Sequence, residues 1–173
     1  MSATGTQPRR GVRVVLAGIG NEMRHDDGAG PVVASRAAQM AGPQLRDALV
    51  VPVTAPLDLL GHWDDSDLAI VVDAVRSGAQ PGTVTLTWLD EPGGVLQVAH
   101  GGPSTHGLGV ADVYLLAHEL GQAPRRVAVV GVEGLDFSFG QGLSAPVDAG
   151  VARAAGLVVD LARQVLDEGP GRA

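Results

Sequence analysis

Short apolar runs alternate along this chain with segments of helical spacing, and this alternation limits its fold more than any other feature. Five runs have the composition of β-strands: 12–17, 48–53, 68–72, 83–89 and 126–132. Four segments have helical character: 31–40, a short helix from Thr54 to Leu60, 108–120, and 144–166 with a start near Pro146. This order predicts an α/β protein in which a five-stranded sheet lies between two layers of helices, a three-layer α/β/α arrangement.

One connection is too short for the regular pattern. Only residues 74–82, which include Pro81 and Gly82, separate the third predicted strand from the fourth. Because a parallel crossover needs roughly a dozen or more residues, strand 83–89 should run antiparallel. The sheet is therefore predicted to be mixed and mostly parallel, with this strand at an edge. A single domain is expected over 11–166, with loose tails at 1–10 and 167–173.

The composition excludes several classes of chemistry. The chain has no cysteine, and all 12 of its basic residues other than histidine are arginine. Thiolate nucleophiles, disulfides, cysteine-ligated metals and lysine Schiff bases are thereby excluded. A net charge of −7 argues against nucleic acid as a partner. No run approaches the roughly 20 apolar residues of a membrane helix, so no membrane contact and a cytoplasmic location are expected.

The first strand ends in Gly18-Ile19-Gly20-Asn21, which resembles part of a dinucleotide-binding loop. The third glycine of that motif is missing, and the acids that follow would repel a pyrophosphate. The glycines are instead expected to allow a sharp turn and the close approach of a ligand. Of the acids, Asp26 and Asp27 could cap the next helix or could form part of a site, and neighbouring His25 could contact their ligands.

A second acid, Asp73, directly follows the apolar run 68–72. Parallel strands bring such residues to one edge of the sheet, where α/β proteins bind ligands. Asp27 is expected at the same edge, and two converging carboxylates can share a proton, activate water or hold a metal. The alternative is structural, with Asp73 bonded to the turn at 75–78.

A histidine completes the candidate set. His106 lies just before a predicted helix, at the end of a long loop that starts near Asp90 and is rich in glycine and proline. Loops of this length in compact domains are often functional. One imidazole and two carboxylates form a reasonable three-ligand set for a divalent metal, with positions left open for substrate.

Four segments together resemble one known family. They are Gly18 to Gly30, Val72 to Thr83, Ser104 to Val113 and Val129 to Glu133, in matching order and spacing. In these segments the chain is similar to the [NiFe]-hydrogenase maturation endopeptidases, over about residues 12 to 166. The resemblance implies a twisted mixed sheet between helices and the removal of a C-terminal extension from a nickel-loaded large-subunit precursor.

The resemblance also implies a site. The metal-contacting residues of the family correspond to Asp27, Asp73 and His106, with Asp27 and Asp73 as the catalytic carboxylates. The expected metal is nickel supplied by the substrate, for which zinc or cadmium could stand in, and no organic cofactor is expected. The expected partner is the [NiFe]-hydrogenase large-subunit precursor.

The chain departs from the family at one point. Many members carry an acid and a glycine just before a threonine at the end of the second strand, whereas this chain has Val51-Pro52-Val53-Thr54. Any additional acid from this strand is therefore missing. The alternative function is a non-catalytic scaffold or chaperone that senses nickel on the same fold.

Overall fold

The computed structural model of the protein describes residues 12–42, 48–89 and 109–168. Its strands are β1 (Val14–Ile19), β2 (Leu49–Val53), β3 (Leu68–Val75), β4 (Val84–Leu89) and β5 (Val127–Glu133). Its α-helices are α1 (Ala29–Ala41), α2 (Val110–Glu119) and α3 (Ala145–Glu168). Two 3-10 helices, His25–Gly28 and Pro56–Gly61, lie before α1 and after β2.

The described strands form one sheet in the order β2-β1-β3-β5-β4. Parallel pairing joins β2 to β1, β1 to β3 and β3 to β5, while β4 is antiparallel to β5 at the edge. This confirms the predicted mixed sheet with one antiparallel edge strand. The topology follows from the short link before β4, since that link leaves no room for a crossover helix.

Each face of the sheet is covered by its own apolar core. Alternate strand residues such as Leu16 and Ile70 pack against α1 and α3. The intervening residues, such as Val15 and Val71, pack against α2 and the 3-10 helix at Pro56–Gly61. Strands buried on both sides need uninterrupted apolar sequence, which explains why the runs in β1 and β3 show no polar alternation.

Some predicted boundaries are wrong, and one of these affects the site. β3 continues to Val75, so Asp73 lies within the strand and not after its end. The strand is longer than predicted because β3 pairs with β5 through Asp73 as far as Val75. The short helix after β2 starts at Pro56, and its preceding residue is Ala55 rather than the predicted cap Thr54. Asp58 replaces the expected threonine cap, accepting a hydrogen bond from the Ala55 N–H at 3.2 Å.

Several predictions lie outside the described residues. They are the tail at 1–10, the end of the other tail at 169–173, and the loop at 90–108 with His106. None of the helices in the described ranges has the length and apolar character required to cross a membrane.

Candidate active site

The glycines after β1 bring the chain directly onto the end of the sheet. A Cβ atom on Gly18 would overlap the carbonyl group of Gly30, and one on Gly20 would overlap the carbonyl oxygen of Asp27. Gly20 also has a φ of +141°, which L side chains rarely adopt. The sharp turn is as predicted, but the close approach is made by the chain's own backbone. It places the 3-10 turn His25–Gly28 in contact with β3.

Asp26, the first acid of this turn, is fully buried and anchors the loop between β5 and α3. Its carboxylate accepts hydrogen bonds from the backbone N–H groups of Leu135, Asp136 and Ser144 at 2.7–2.9 Å, and from the Ser144 hydroxyl at 2.8 Å. Burial alone would raise the pKa of Asp26, but the bonds from Asp136, Ser144 and Leu135 outweigh it and lower the pKa below its usual value. Asp26 is therefore a structural acid, which caps the chain just before α3.

Asp26→Asn is expected to lower the free energy of unfolding by about 1–3 kcal/mol, because an amide leaves at least one of these buried donors without an acceptor. Chemical denaturation near neutral pH measures this change. Asp160→Asn, on an exposed position of α3, is the matched control and should stay within about 0.5 kcal/mol of the wild type. Equal stability of the two variants would contradict the anchoring role of Asp26.

Asp27 and Asp73 are the two predicted carboxylates that the structure brings together. They are 2% and 5% exposed, respectively. One carboxylate oxygen of Asp27 accepts a hydrogen bond from the Asn21 N–H at 3.0 Å. Asp73 follows the alternation of Ala69 and Val71 and so projects on the α2 side of the sheet. The two strands β1 and β3 are neighbours, so the turn that follows β1 meets the last residues of β3 at one edge of the sheet.

Asp73 has an unusual environment for a carboxylate. Its Oδ1 atom is buried and has no hydrogen-bond partner within the part of the chain that the structure describes. Burial, together with the negative charge of Asp27, raises the pKa of Asp73 to about 7, and a hydrogen bond with the Ala74 backbone offsets this only in part. A buried, unpartnered oxygen beside a second carboxylate is suited to a proton or a cation.

A glycine is the neighbour of Asp73 in the sheet. Gly131 on β5 pairs with Asp73 on one side and with Thr85 on the other. A Cβ atom at Gly131 would come within 2.7 Å of the Thr85 hydroxyl oxygen. The Val75 side chain would lie 3.2 Å from the same Cβ atom, so Thr85 and Val75 occupy the space beside this glycine.

Glu133 is a further buried acid at this edge, and the sequence did not mark it as a site residue. Its carboxylate accepts hydrogen bonds from the N–H and hydroxyl groups of Ser77, at 2.9 and 2.7 Å, and from the N–H of Gly78 at 2.9 Å. Burial alone would raise the pKa of Glu133, but the bonds from Ser77 and Gly78 lower it below its usual value. The turn after β3 is thus held by Glu133, the role that the structural alternative assigned to Asp73. The sequence could have marked Glu133 as a candidate by the same pattern, because it is an acid at the end of an apolar strand.

The structure tests the prediction for His25 but not the one for His106. The Nδ1 atom of His25 lies 2.9 Å from the carbonyl oxygen of Gly142, so this nitrogen contacts the loop after β5. His106 lies outside the described residues, so its place in the site stays a prediction. Within the described ranges, no three histidine or acidic side chains form a group able to hold a metal ion.

Comparison with known proteins shows the family to which this chain belongs. A family model described as hydrogenase maturation protease, HycI, matches residues 52–161, which include Asp73, His106 and Glu133. This chain belongs to the hydrogenase maturation protease family. It is therefore a peptide hydrolase, as the resemblance of its motifs implied.

Curated relatives match a larger share of the maturation protease than the family model does. The hydrogenase expression/formation protein HupD of Bradyrhizobium diazoefficiens is 29% identical over 157 residues, which cover 90% of this chain and 79% of the relative. HupM of Azotobacter chroococcum, a protein of the same description, is 32% identical over 151 residues, covering 84% of this chain and 68% of HupM.

Solved structures support the same fold. The hydrogenase maturating endopeptidase HybD from E. coli superposes with a TM-score of 0.73 at 25% identity, covering 88% of this chain and 93% of HybD. HybD from Thermococcus kodakarensis, a [NiFe] hydrogenase maturation protease, gives a TM-score of 0.69 at 25% identity, covering 87% and 99% of the two chains. The five-stranded mixed sheet of the maturation protease is thus the fold of these endopeptidases.

The departure in β2 has a simple structural form. Val51 and Val53 are buried against the 3-10 helix that follows, while Pro52 is exposed. Because β2 is the edge strand, a proline there removes no hydrogen bond from the sheet. This strand therefore contributes no acid to the site.

Proposed function

We propose that this maturation protease removes the C-terminal extension of a nickel-loaded [NiFe]-hydrogenase large-subunit precursor. The observation that carries the proposal is the buried Asp73 Oδ1 atom, unpartnered within the described ranges, beside Asp27. Such an oxygen costs stability unless a proton, a cation or a substrate group binds it, so its retention favours a functional role.

The donor set fits a divalent metal that the substrate brings. Asp27 and Asp73 offer hard carboxylate oxygens, and His106 would add an imidazole, whereas the chain has no cysteine. A set with so few ligands binds a free metal weakly and leaves positions for ligands from the precursor. Asp27, Asp73 and His106 would engage the nickel and so place the scissile peptide bond at the edge of the sheet.

The proposed chemistry is hydrolysis by an activated water. An ionised carboxylate of the pair takes a proton from water, and the water oxygen attacks the peptide carbonyl carbon. The same carboxyl group then returns the proton to the leaving nitrogen as the C–N bond breaks, so no acyl-enzyme forms. A group with a pKa near 7, such as Asp73, can both accept and donate a proton at neutral pH.

Incubation with a nickel-loaded precursor tests the proposal. We expect the mass of the precursor to fall by that of its C-terminal extension, with a matching released peptide. A nickel-free precursor under the same conditions should stay intact, because Asp27, Asp73 and His106 then have no metal to engage. Cleavage of both forms would indicate a peptidase with no requirement for nickel.

A nickel-sensing scaffold is the second candidate, favoured by the missing acid in β2. It predicts that the precursor binds and is never shortened, even where an endopeptidase of the family trims it. Mass spectrometry of the bound precursor separates the two functions.

A further inference from the structure

Three exposed apolar side chains lie on two loops beside the acid pair. Met23 is 53% exposed, Leu135 is 58% exposed and Phe139 is 86% exposed. Met23 is on the loop between β1 and α1, and the other two are on the loop between β5 and α3. We call Met23, Leu135 and Phe139 the docking patch. An aromatic ring so fully in solvent contributes nothing to the fold through burial.

The loops that carry the docking patch are firmly joined to each other. Backbone hydrogen bonds of 2.9 and 2.8 Å run from the Gly140 N–H to Met23 and from the His25 N–H to Gly140. A Cβ atom on Gly140 would overlap the His25 ring. The guanidinium group of Arg24 donates to the Phe137 carbonyl at 3.2 Å. The patch is therefore presented by ordered backbone, which reduces the entropy that a partner must remove on binding.

Asp26 connects the docking patch to the 3-10 turn His25–Gly28, which carries Asp27. Asp26 bonds the backbone of Leu135 and Asp136, and Asp27 is the next residue in the chain. A partner held at the patch is thus held at a fixed position relative to Asp27. Continuity with the acid pair indicates that the partner is the polypeptide cut there.

The charge around the docking patch narrows the chemistry of the partner. The guanidinium carbon of Arg24 lies 5.7 Å from the centre of the Phe139 ring, and that of Arg76 lies 4.5 Å from the centre of the Phe137 ring. Arg24 thus borders the patch at Phe139, while Arg76 lies against Phe137 on the same loop and also interacts with the exposed Asp136, on a chain whose net charge is −7. An apolar surface flanked by acidic side chains is complementary to this arrangement.

We propose that the docking patch binds the folded part of the hydrogenase large-subunit precursor, through an apolar surface with acidic neighbours. This inference rests on the proposed function for the identity of the partner. Phe139 is the anchor, Leu135 adds apolar area, and Arg76 supplies charge complementarity. Binding there would hold the extension over Asp27 and Asp73 without contributing to bond cleavage itself.

The test compares Phe139→Ser and Leu135→Ser with Leu120→Ser. Leu120 is a matched control because it is 55% exposed and directly follows α2. It precedes β5 in the chain, whereas the docking patch lies on loops that follow the strands. Binding of immobilised nickel-loaded precursor gives Kd, and precursor trimming gives KM and kcat. We expect Kd and KM to rise at least about tenfold in the two patch variants, with kcat at saturation within about twofold of the wild type. Leu120→Ser should bind as the wild type does.

Arg76→Glu tests the charge of the partner, with Arg36→Glu on the exposed surface of α1 as its control. Only the first should weaken binding, and it should also reduce the dependence of Kd on salt. Wild-type Kd in Phe139→Ser would overturn the proposal. It would also be overturned if that variant melted at a lower temperature than Leu120→Ser, since Phe139 would then pack within the protein itself. Dissociation of a wild-type dimer by Phe139→Ser would assign the patch to a second copy and overturn the proposal as well.

Failure of the proposed function has a different signature. If the precursor binds through Phe139 and is never trimmed, the docking proposal holds and the proposed endopeptidase activity is wrong. If Phe139→Ser and the wild type trim the precursor equally well, the endopeptidase activity holds and the docking proposal is wrong.

Discussion

Asp73→Asn and Asp27→Asn are each expected to reduce trimming of the nickel-loaded precursor by about a thousandfold or more. An asparagine cannot take a proton from water, and loss of a general base costs on the order of 10² to 10⁴ in rate. The loss of a carboxylate also removes one proposed ligand of the nickel in the precursor, which weakens binding of the substrate. Single-turnover trimming followed by mass spectrometry measures the rate, and circular dichroism checks that the fold is retained.

Two variants make this result specific. Asp160→Asn removes an exposed acid from α3 and should trim at the wild-type rate. Asp27→Glu keeps a carboxylate at this position, and it should therefore recover most of the activity that Asp27→Asn loses. Wild-type rates in both Asp27→Asn and Asp73→Asn would show that the catalytic groups lie elsewhere.

The second large effect concerns pH and stability of the metal-free protein. The pKa of Asp73 is raised to about 7 in the folded state, against 3.8 for the free side chain. Between these values the unfolded chain has lost the proton that the folded protein keeps, so the contribution of Asp73 favours unfolding increasingly as pH rises. The contribution of Asp73 to the free energy of unfolding is therefore fully present below about pH 4 and is lost as pH rises through 7.

Asp73→Asn removes this dependence, so the difference between variant and wild type isolates it. Relative to the wild type, the variant should gain at least about 1–2 kcal/mol of unfolding free energy between pH 5 and pH 8, at about 1.4 kcal/mol per pKa unit. Urea denaturation across this range measures the gain. Asp26 and Glu133, whose pKa values are lowered, act in the opposite direction in both proteins and cancel in the difference. A constant difference across pH would mean that Asp73 is ionised in the fold at pH 5.

The sequence allowed most of the architecture to be predicted, for identifiable reasons. Strands such as β1 and β3 are buried on both faces, so they need apolar residues at nearly every position, and such runs are visible without a structure. The antiparallel edge strand followed from the length of one connection. Element ends were less accurate, because the extent of β3 depends on its pairing with β5 up to Val75 and Glu133.

The candidate site was only partly predictable. Asp27 and Asp73 were selected because acids beside apolar strands converge at one edge. Their neighbours Asp26 and Glu133 follow nearly the same pattern, yet their carboxylates are occupied by hydrogen bonds from the loop at 135–144 and the turn at 77–78. Most of these donors are backbone groups far away in the chain, and backbone groups leave no mark in residue type.

The sequence by itself determined the sheet, its mixed topology, the absence of thiol chemistry and the two acids that meet at its edge. Those properties depend on local composition and spacing, which apolar burial and chain geometry convert directly into structure. Only the tertiary structure separated the structural acids Asp26 and Glu133 from the pair Asp27 and Asp73. That distinction depends on which distant N–H groups reach each carboxylate, and on Asp73 Oδ1 lacking one within the described ranges. The tertiary structure also showed that Phe139 is exposed near the turn that carries Asp27, because exposure is decided by packing and not by residue type.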